Sequence, residues 1–253
     1  MRARLVALGI FLAAAAIGGA WAGPSVQRPI VVELFTSQGC SDCPAADRLV
    51  TELAKRKDVI ALSFPITYWD MLGWKDTYAT DSNTQRQKSY ARAMNHSGIY
   101  TPQMIVDGKI DVVGNQRERV LAALLARANE GTAEPYVPVS IGTVSGRVEI
   151  AIPAAKTKGK ALGTIWVLRT LAQGAVNVER GENRNHRLTY TNVVRDLQRA
   201  GEWSGEAMKI DLPLYPNVKH DGVAVILQAR DYGPVLGAAI LKLPASDRVA
   251  APR

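Results

Sequence analysis

Apolar and polar positions follow different rhythms in the two halves of the chain. "RPIVVELFT" (28–36) and "VIALSFPI" (59–66) are nearly unbroken apolar runs, the pattern of strands buried on both faces. Between them the period changes to that of a helix. From Cys43 onward, Ala46, Leu49, Val50 and Leu53 fall on one face, and Pro44 suits the first turn, where its missing N–H costs nothing. A loop rich in aromatics, "TYWDMLGWKDTYATDSN", precedes a polar helix expected over about Thr84–Asn95. "QMIVDGKIDVVG" predicts a hairpin turning at Asp107–Gly108. "NQRERVLAALLARAN" predicts an amphipathic helix with Val120, Leu121, Leu124 and Leu125 inward. Strand, helix, strand, helix, hairpin, helix implies a mixed sheet covered by helices.

From Val139 strict alternation takes over. In "MKIDLPL", Met208, Ile210, Leu212 and Leu214 face one way and Lys209 and Asp211 the other; "RVEIAIP" behaves alike. "TIWVLRTL", "VNVERG", "LTYTNVV" and "VAVILQARD" add strands between Gly, Asn and Pro turns. About seven short strands in ~105 residues suggest a β-sandwich. The expected organisation is an α/β domain over 27–129, a linker over 130–138, an all-β sandwich-like domain over 139–244 and a tail over 245–253.

The N-terminus adds a location. "MRARLVALGIFLAAAAIGGAWAG" has Arg2 and Arg4, an apolar run from Leu5 to Ile17, and Ala20-Trp21-Ala22 in the small-x-small pattern of a cleavage site. This predicts a signal peptide over 1–22 and a periplasmic or secreted protein with no stable membrane span after cleavage. The apolar run is shorter than the ~20 residues a spanning helix needs, which disfavours the rival reading of an uncleaved anchor. Loss of the two arginines lowers the net charge from +8 to +6, a moderate value spread along the chain. No nucleic-acid motif is present, so nucleic acid is not an expected partner.

The chemistry concentrates in "FTSQGCSDCPAAD", which holds the chain's 2 cysteines, Cys40 and Cys43. An exported protein keeps such a pair where disulfides persist. A helix start presents free N–H groups and partial positive charge, which stabilise a thiolate. Cys40 is therefore the expected nucleophile and Cys43, one turn later, the resolving thiol. Asp42 between them opposes the lowering of the Cys40 pKa.

With "YTPQM", where Thr101-Pro102 precedes the hairpin strand, and with the order of elements, the pair resembles the thioredoxin superfamily. That resemblance makes the first domain a thioredoxin-like α/β domain. It implies a cis Pro102, a Thr101 backbone beside the sulfurs to receive substrate, and Glu33 as the buried carboxylate that exchanges a proton with the second cysteine. "VELFTSQGCSDCPAAD", "YWDMLGWKD", "YTPQM" and "RGENRNHRLTYTNVVR" together resemble a family of exported bacterial thioredoxin-like proteins known chiefly as a domain of unknown function. Pro65-Ile66-Thr67 stands where that family's pattern carries His-Val-Asp.

Topology brings Cys40, "TYWDMLGW" and Pro102 to one edge of the sheet, so Tyr68, Trp69, Asp70 and Trp74 are expected to form a floor or lid at the cysteines. The alternative for these aromatics is packing against the second domain. Three functions remain open. The first is thiol–disulfide exchange on thiol- or disulfide-bearing envelope proteins. The second is a non-enzymatic binding module whose disulfide stays shut. The third is a Cu(I) carrier that adds Met104 or His96 to the two thiolates. A structural zinc site would need four ligands. The exchange reading needs no cofactor and no metal. Arg180, Arg184, Arg187 and Arg195 read as a solvated hairpin or an anion site.

Overall fold

The computed structural model describes residues 28–130, 136–155, 163–214 and 218–243. The expected signal peptide, the tail and most of the expected linker lie outside the described residues. The apolar runs form β1 (Ile30–Thr36) and β2 (Val59–Pro65), buried at every position. Helix α1 (Cys43–Leu53) lies between them and carries a proline in its first turn. Helix α2 (Asp81–Ala93) starts earlier than its polar pattern suggested, because the Thr80 side chain accepts the Asn83 N–H at 3.2 Å and caps it there. The hairpin β3 (Gln103–Val106) and β4 (Ile110–Val113) turns through Asp107, Gly108 and Lys109; the first two are left-handed, at φ 55° and 69°, and the Lys109 N–H closes the turn on Val106 O at 3.0 Å.

Helix α3 (Arg117–Glu130) buries Val120, Ala123, Leu124 and Arg127. Leu121 and Leu125, expected inward, are 37% and 62% exposed. The buried stripe follows i, i+3, i+4, i+7 from Val120, and the last position is an arginine held by Asp107 at 2.9 Å.

The remaining strands are β5 (Ser140–Val144), β6 (Arg147–Ile152), β7 (Gly163–Asn177), β8 (Arg187–Trp203), β9 (Met208–Pro213), β10 (Gly222–Ala229) and β11 (Val235–Lys242). They overturn the expected α/β thioredoxin-like domain followed by a separate all-β sandwich. One mixed eight-stranded sheet, β11-β10-β7-β8-β2-β1-β3-β4, runs through both halves, and the chain is predominantly β. The reason lies in β7 and β8. Segments expected to be several short strands are two long ones, paired antiparallel from Gly163–Trp203 to Asn177–Arg187. β8 then lies parallel to β2, with Ser63 opposite Val193. The Ser63 hydroxyl donates to Thr191 O and Asn192 Nδ2 to Ala61 O, both at 2.9 Å. At the other end of the sheet, Asp107 N–H donates to Val31 O, and Asp107 O accepts the Val235 N–H at 3.0 Å, joining the β3–β4 turn to β11.

The core divides by face. Val32, Leu34, Ala61, Met104 and Val106 meet α1 and α3 on one side of the sheet. On the other, Val31, Phe35, Leu62, Phe64 and Ile105 meet Tyr90 of α2 together with Leu168, Ala224, Ile226 and Val235. The small sheet β5-β6-β9 packs Val148, Ile150 and Ile152 onto Ile165, Val167, Val223 and Val225. Met208, Ile210, Leu212 and Leu214 line the same core, as their alternation predicts. The sandwich-like layering is therefore local, built on a sheet shared with the first half. Among the described residues, no helix is long and apolar enough to cross a membrane.

Candidate functional site

β1 ends at Thr36, and the chain turns through Ser37–Asp42 into α1. Cys40 and Cys43 are joined by a disulfide with their Cα atoms 5.4 Å apart. The Cys43 N–H donates to Cys40 O at 3.2 Å, closing the turn. The two cysteines are 2% and 0% exposed, whereas Ser41 and Asp42 between them face solvent.

The aromatic segment closes over this turn. A short 3-10 helix, Thr67–Leu72, sets Trp69 against Gly39; a Cβ at Gly39 would lie 2.8 Å from Trp69 Cβ, so only glycine fits. Trp69 Nε1 donates to Thr101 Oγ1 at 2.7 Å, and the Thr101–Pro102 peptide is cis. Trp74 Nε1 donates to Gln38 Oε1 at 2.8 Å. Asp70 accepts the Asp76 N–H at 3.0 Å. Asp76 in turn accepts the N–H groups of Gln38 (2.8 Å), Tyr78 (2.8 Å) and Ala79 (3.1 Å). Burial pushes the Asp76 carboxyl up to about 6, against the pull of those three donors. Trp69 and Trp74 thus hold the disulfide turn at Gly39 and Gln38, Thr101 joins them through Trp69, and Asp70 reaches the turn through Asp76. Tyr68 stands at the rim, 44% exposed and edge-on to Trp69 at 5.5 Å.

Glu33 is elsewhere. It alternates with Val31 and Phe35, so it faces α2, while α1 packs on the face of Val32 and Leu34. There it binds Arg86 Nε at 2.5 Å and Nη2 at 2.8 Å and accepts the Tyr90 hydroxyl at 2.6 Å. The sheet separates it from Cys43, contrary to the proton-exchange role that the resemblance implied.

The acid on the cysteine side is Asp47, one helical turn after Cys43 and 3% exposed. Among the described residues, neither of its carboxyl oxygens has a partner at hydrogen-bond distance, the Thr36 hydroxyl standing nearby at longer range, and the Tyr190 hydroxyl of β8 is also buried without one. Burial raises the Asp47 pKa well above the usual carboxylate range; the Thr36 hydroxyl offsets part of this, and the charge of Asp76 adds to it. Burial likewise raises Tyr190, followed by Asp47 and Asp76. Protonatable groups thus gather behind the disulfide.

The loop after β7 covers the front. Asn183 is 5% exposed, and its Nδ2 donates to Gln38 O (3.0 Å) and Cys40 O (2.8 Å). Glu182 accepts the Ser41 N–H at 3.0 Å. Arg180 and Arg184 are exposed on this loop and Arg187 at the start of β8, but Arg195 is not part of that group. It lies over the Tyr78 ring at 5.0 Å and donates to Tyr78 O at 3.1 Å.

The copper donors do not converge. Met104 is packed in the core with Leu34 and Val112, and His96 pairs with Asp111 at 3.2 Å. Among the described residues, no group of three or more His, Cys, Asp or Glu forms a metal cluster.

Sequence reasoning missed Gln38, Asp47, Asp76, Glu182, Asn183 and Tyr190. For Asp47 a signal existed, an acid on the apolar face of α1. The others come from segments that only the tertiary fold brings together.

A mixed sheet that presents a buried C-x-x-C disulfide at a helix start, with two tryptophans on its turn, defines a class by architecture. The chain belongs to the family described as "Protein of unknown function (DUF1223)", whose profile matches residues 31–228. The crystal structure of protein AGR_C_4864 from Agrobacterium tumefaciens is similar, with 34% identity, a TM-score of 0.73 and coverage of 85% of this chain and 95% of that one. HBP35 of Porphyromonas gingivalis shares the fold at 13% identity and a TM-score of 0.61, over 90% of this chain and 79% of that one. No curated protein matches.

Proposed function

We propose that the protein is an exported member of its family, periplasmic or secreted, that exchanges disulfides with thiol- or disulfide-bearing envelope proteins through Cys40 and Cys43. Kinship with thioredoxin-like proteins, carried by the C-x-x-C pair and the proline, belongs to the same reading. The observation that carries it is the Cys40–Cys43 pair at the start of α1, with Trp69 packed on Gly39 of the cysteine turn and hydrogen-bonded to Thr101.

In the reduced protein the Cys40 thiolate attacks one sulfur of a partner disulfide. The partner S–S bond breaks, a partner thiolate leaves and a mixed disulfide forms. Cys43 gives up its proton and attacks Cys40 Sγ. The mixed disulfide breaks and the second partner thiolate leaves. Two electrons pass from the pair to the partner, and the two thiol protons end on the partner's sulfurs. With a partner dithiol the same steps run in reverse. Helix α1 supports charge on Cys40. On this reading Asp47, one helical turn after Cys43 on the buried face of α1, takes the Cys43 proton in place of Glu33.

Cys43→Ser tests this. It should trap partners as mixed disulfides with Cys40, visible on non-reducing gels and lost on reduction, and Cys40→Ser should trap none. The burial of both cysteines favours a second reading, a closed structural disulfide. Under it neither variant traps a partner.

A further inference from the structure

We infer that Glu182 and Asn183 form a strap that shields Cys40 and holds back its thiolate. The inference rests on the exchange reading and adds positioning residues to it.

The strap reaches the cysteine turn from the opposite half of the sequence. Val178 N–H donates to His186 O, and Asn185 N–H to Val178 O, so the loop between β7 and β8 is closed on itself. Gly181 at φ +79° and Asn185 at φ +63° let it turn back toward the disulfide. Asn183 then binds two carbonyls of the cysteine turn, Gln38 O and Cys40 O on either side of Gly39, with one amide. A buried amide holding two backbone acceptors fixes the turn in place: losing it strips Gln38 O of its donor and leaves Cys40 O with the Cys43 N–H alone. With Asn183 seated, Cys40 is 2% exposed. A partner sulfur must approach Cys40 along the line of the S–S bond, so the strap has to lift before exchange begins.

Glu182 acts by charge. Its carboxylate takes the Ser41 N–H, one of the free donors before α1; the Ser41 hydroxyl first, and that N–H second, hold its pKa below the ordinary value. A Cys40 thiolate draws on the same field of N–H groups. The carboxylate occupies one donor and repels the second negative charge. The charged and titratable groups on the elements around the pair are Asp42 on its own turn, Asp47 and Arg48 on α1, Asp76 from the aromatic segment, Tyr190 on β8, and Arg180, Glu182 and Arg184 on the strap loop. Glu182 is the acid among them supplied by a separate, solvent-facing loop.

The test uses the full mature protein, reduced with a phosphine. The pH titration of Cys40 is read from thiolate absorbance near 240 nm in a Cys43→Ser background, so it does not depend on any exchange activity. Glu182→Gln should lower the Cys40 pKa by about half a unit, the size expected of one carboxylate at close range in a solvated site. The difference should shrink in 1 M salt, and Glu182→Asp should restore it in part. Asn183→Ala, in the two-cysteine protein, should speed reduction of the disulfide by dithiothreitol several-fold in native buffer, while the unfolding midpoint falls by only a few degrees for the one carbonyl left unpaired. An unchanged or raised Cys40 pKa in Glu182→Gln overturns the role of the carboxylate. An unchanged reduction rate in Asn183→Ala overturns the shield. A strap that passes both tests in a protein that traps no partner would overturn the exchange reading and leave the strap standing.

Discussion

Glu33→Gln removes one charge from the most buried ion pair of the sheet. Glu33 and Arg86 both have 0% exposed side chains. The carboxylate takes two bonds from the guanidinium, at 2.5 and 2.8 Å, and one from Tyr90, whose hydroxyl burial keeps protonated. Arg86 also donates to Gln228 at 3.1 Å and lies within 5.2–5.7 Å of the ring centres of Phe64, Tyr90, Trp166 and Tyr232. An arginine cannot shed its proton, so glutamine leaves a cation in the core with only neutral partners. Breaking a buried pair in this way costs roughly 3–5 kcal/mol. The retained amide oxygen and the aromatic faces place Glu33→Gln near the lower end of that range. At about 2–4 °C per kcal/mol for a chain of this size, the unfolding midpoint should fall by roughly 6–12 °C. Urea unfolding and thermal circular dichroism measure the loss, and the double variant Glu33→Gln/Arg86→Met should recover part of it. The potential of the cysteine pair should stay unchanged, because the sheet lies between. A stability loss under ~1 kcal/mol, typical of an exposed pair, or a shifted potential would refute this assignment.

Asp76 gives a pH signature. Its folded pKa, about 6, lies above the ordinary 3.8, so its contribution is full below about 4 and is lost as the pH rises through about 6. The wild type should therefore lose stability relative to Asp76→Asn across that window, as read from paired unfolding midpoints. Gly39→Ala should force Trp69 off Thr101, cost about 1–3 kcal/mol of stability and alter tryptophan fluorescence. Asp47→Asn should slow the resolving step, so that mixed disulfide with a model partner accumulates in stopped-flow quench while the first attack keeps its rate.

Local pattern was enough for some of this architecture. β1 and β2 follow from their apolar runs, β9 from its alternation, the β3–β4 turn from Asp107-Gly108, and the start of α1 from Pro44. Leu121 and Leu125 misled because a helix of mostly apolar residues leaves its inward stripe underdetermined; the core chose Ala123 and Arg127 instead. Glu33 misled for a related reason. Alternation puts it on the face of Val31 and Phe35, but only the packing of α1 says which face that is. Helical spacing put Asp47 on the buried face with Cys43, Ala46 and Val50, so that acid was legible at i+4. The parallel meeting of β2 and β8 was not legible, since Ser63, Thr191 and Asn192 carry it through side-chain bonds across more than a hundred residues. With it went the shared sheet and the strap, both consequences of two strands far longer than their turn residues suggested.

The exchange chemistry of Cys40 and Cys43 is the central claim. Its most direct test is the reduction potential of the pair in the mature protein, equilibrated in glutathione or dithiothreitol buffers and read by thiol alkylation. A value between roughly −120 and −270 mV places the pair among catalytic dithiols, as the account predicts. A value well below about −300 mV marks a structural disulfide and contradicts it.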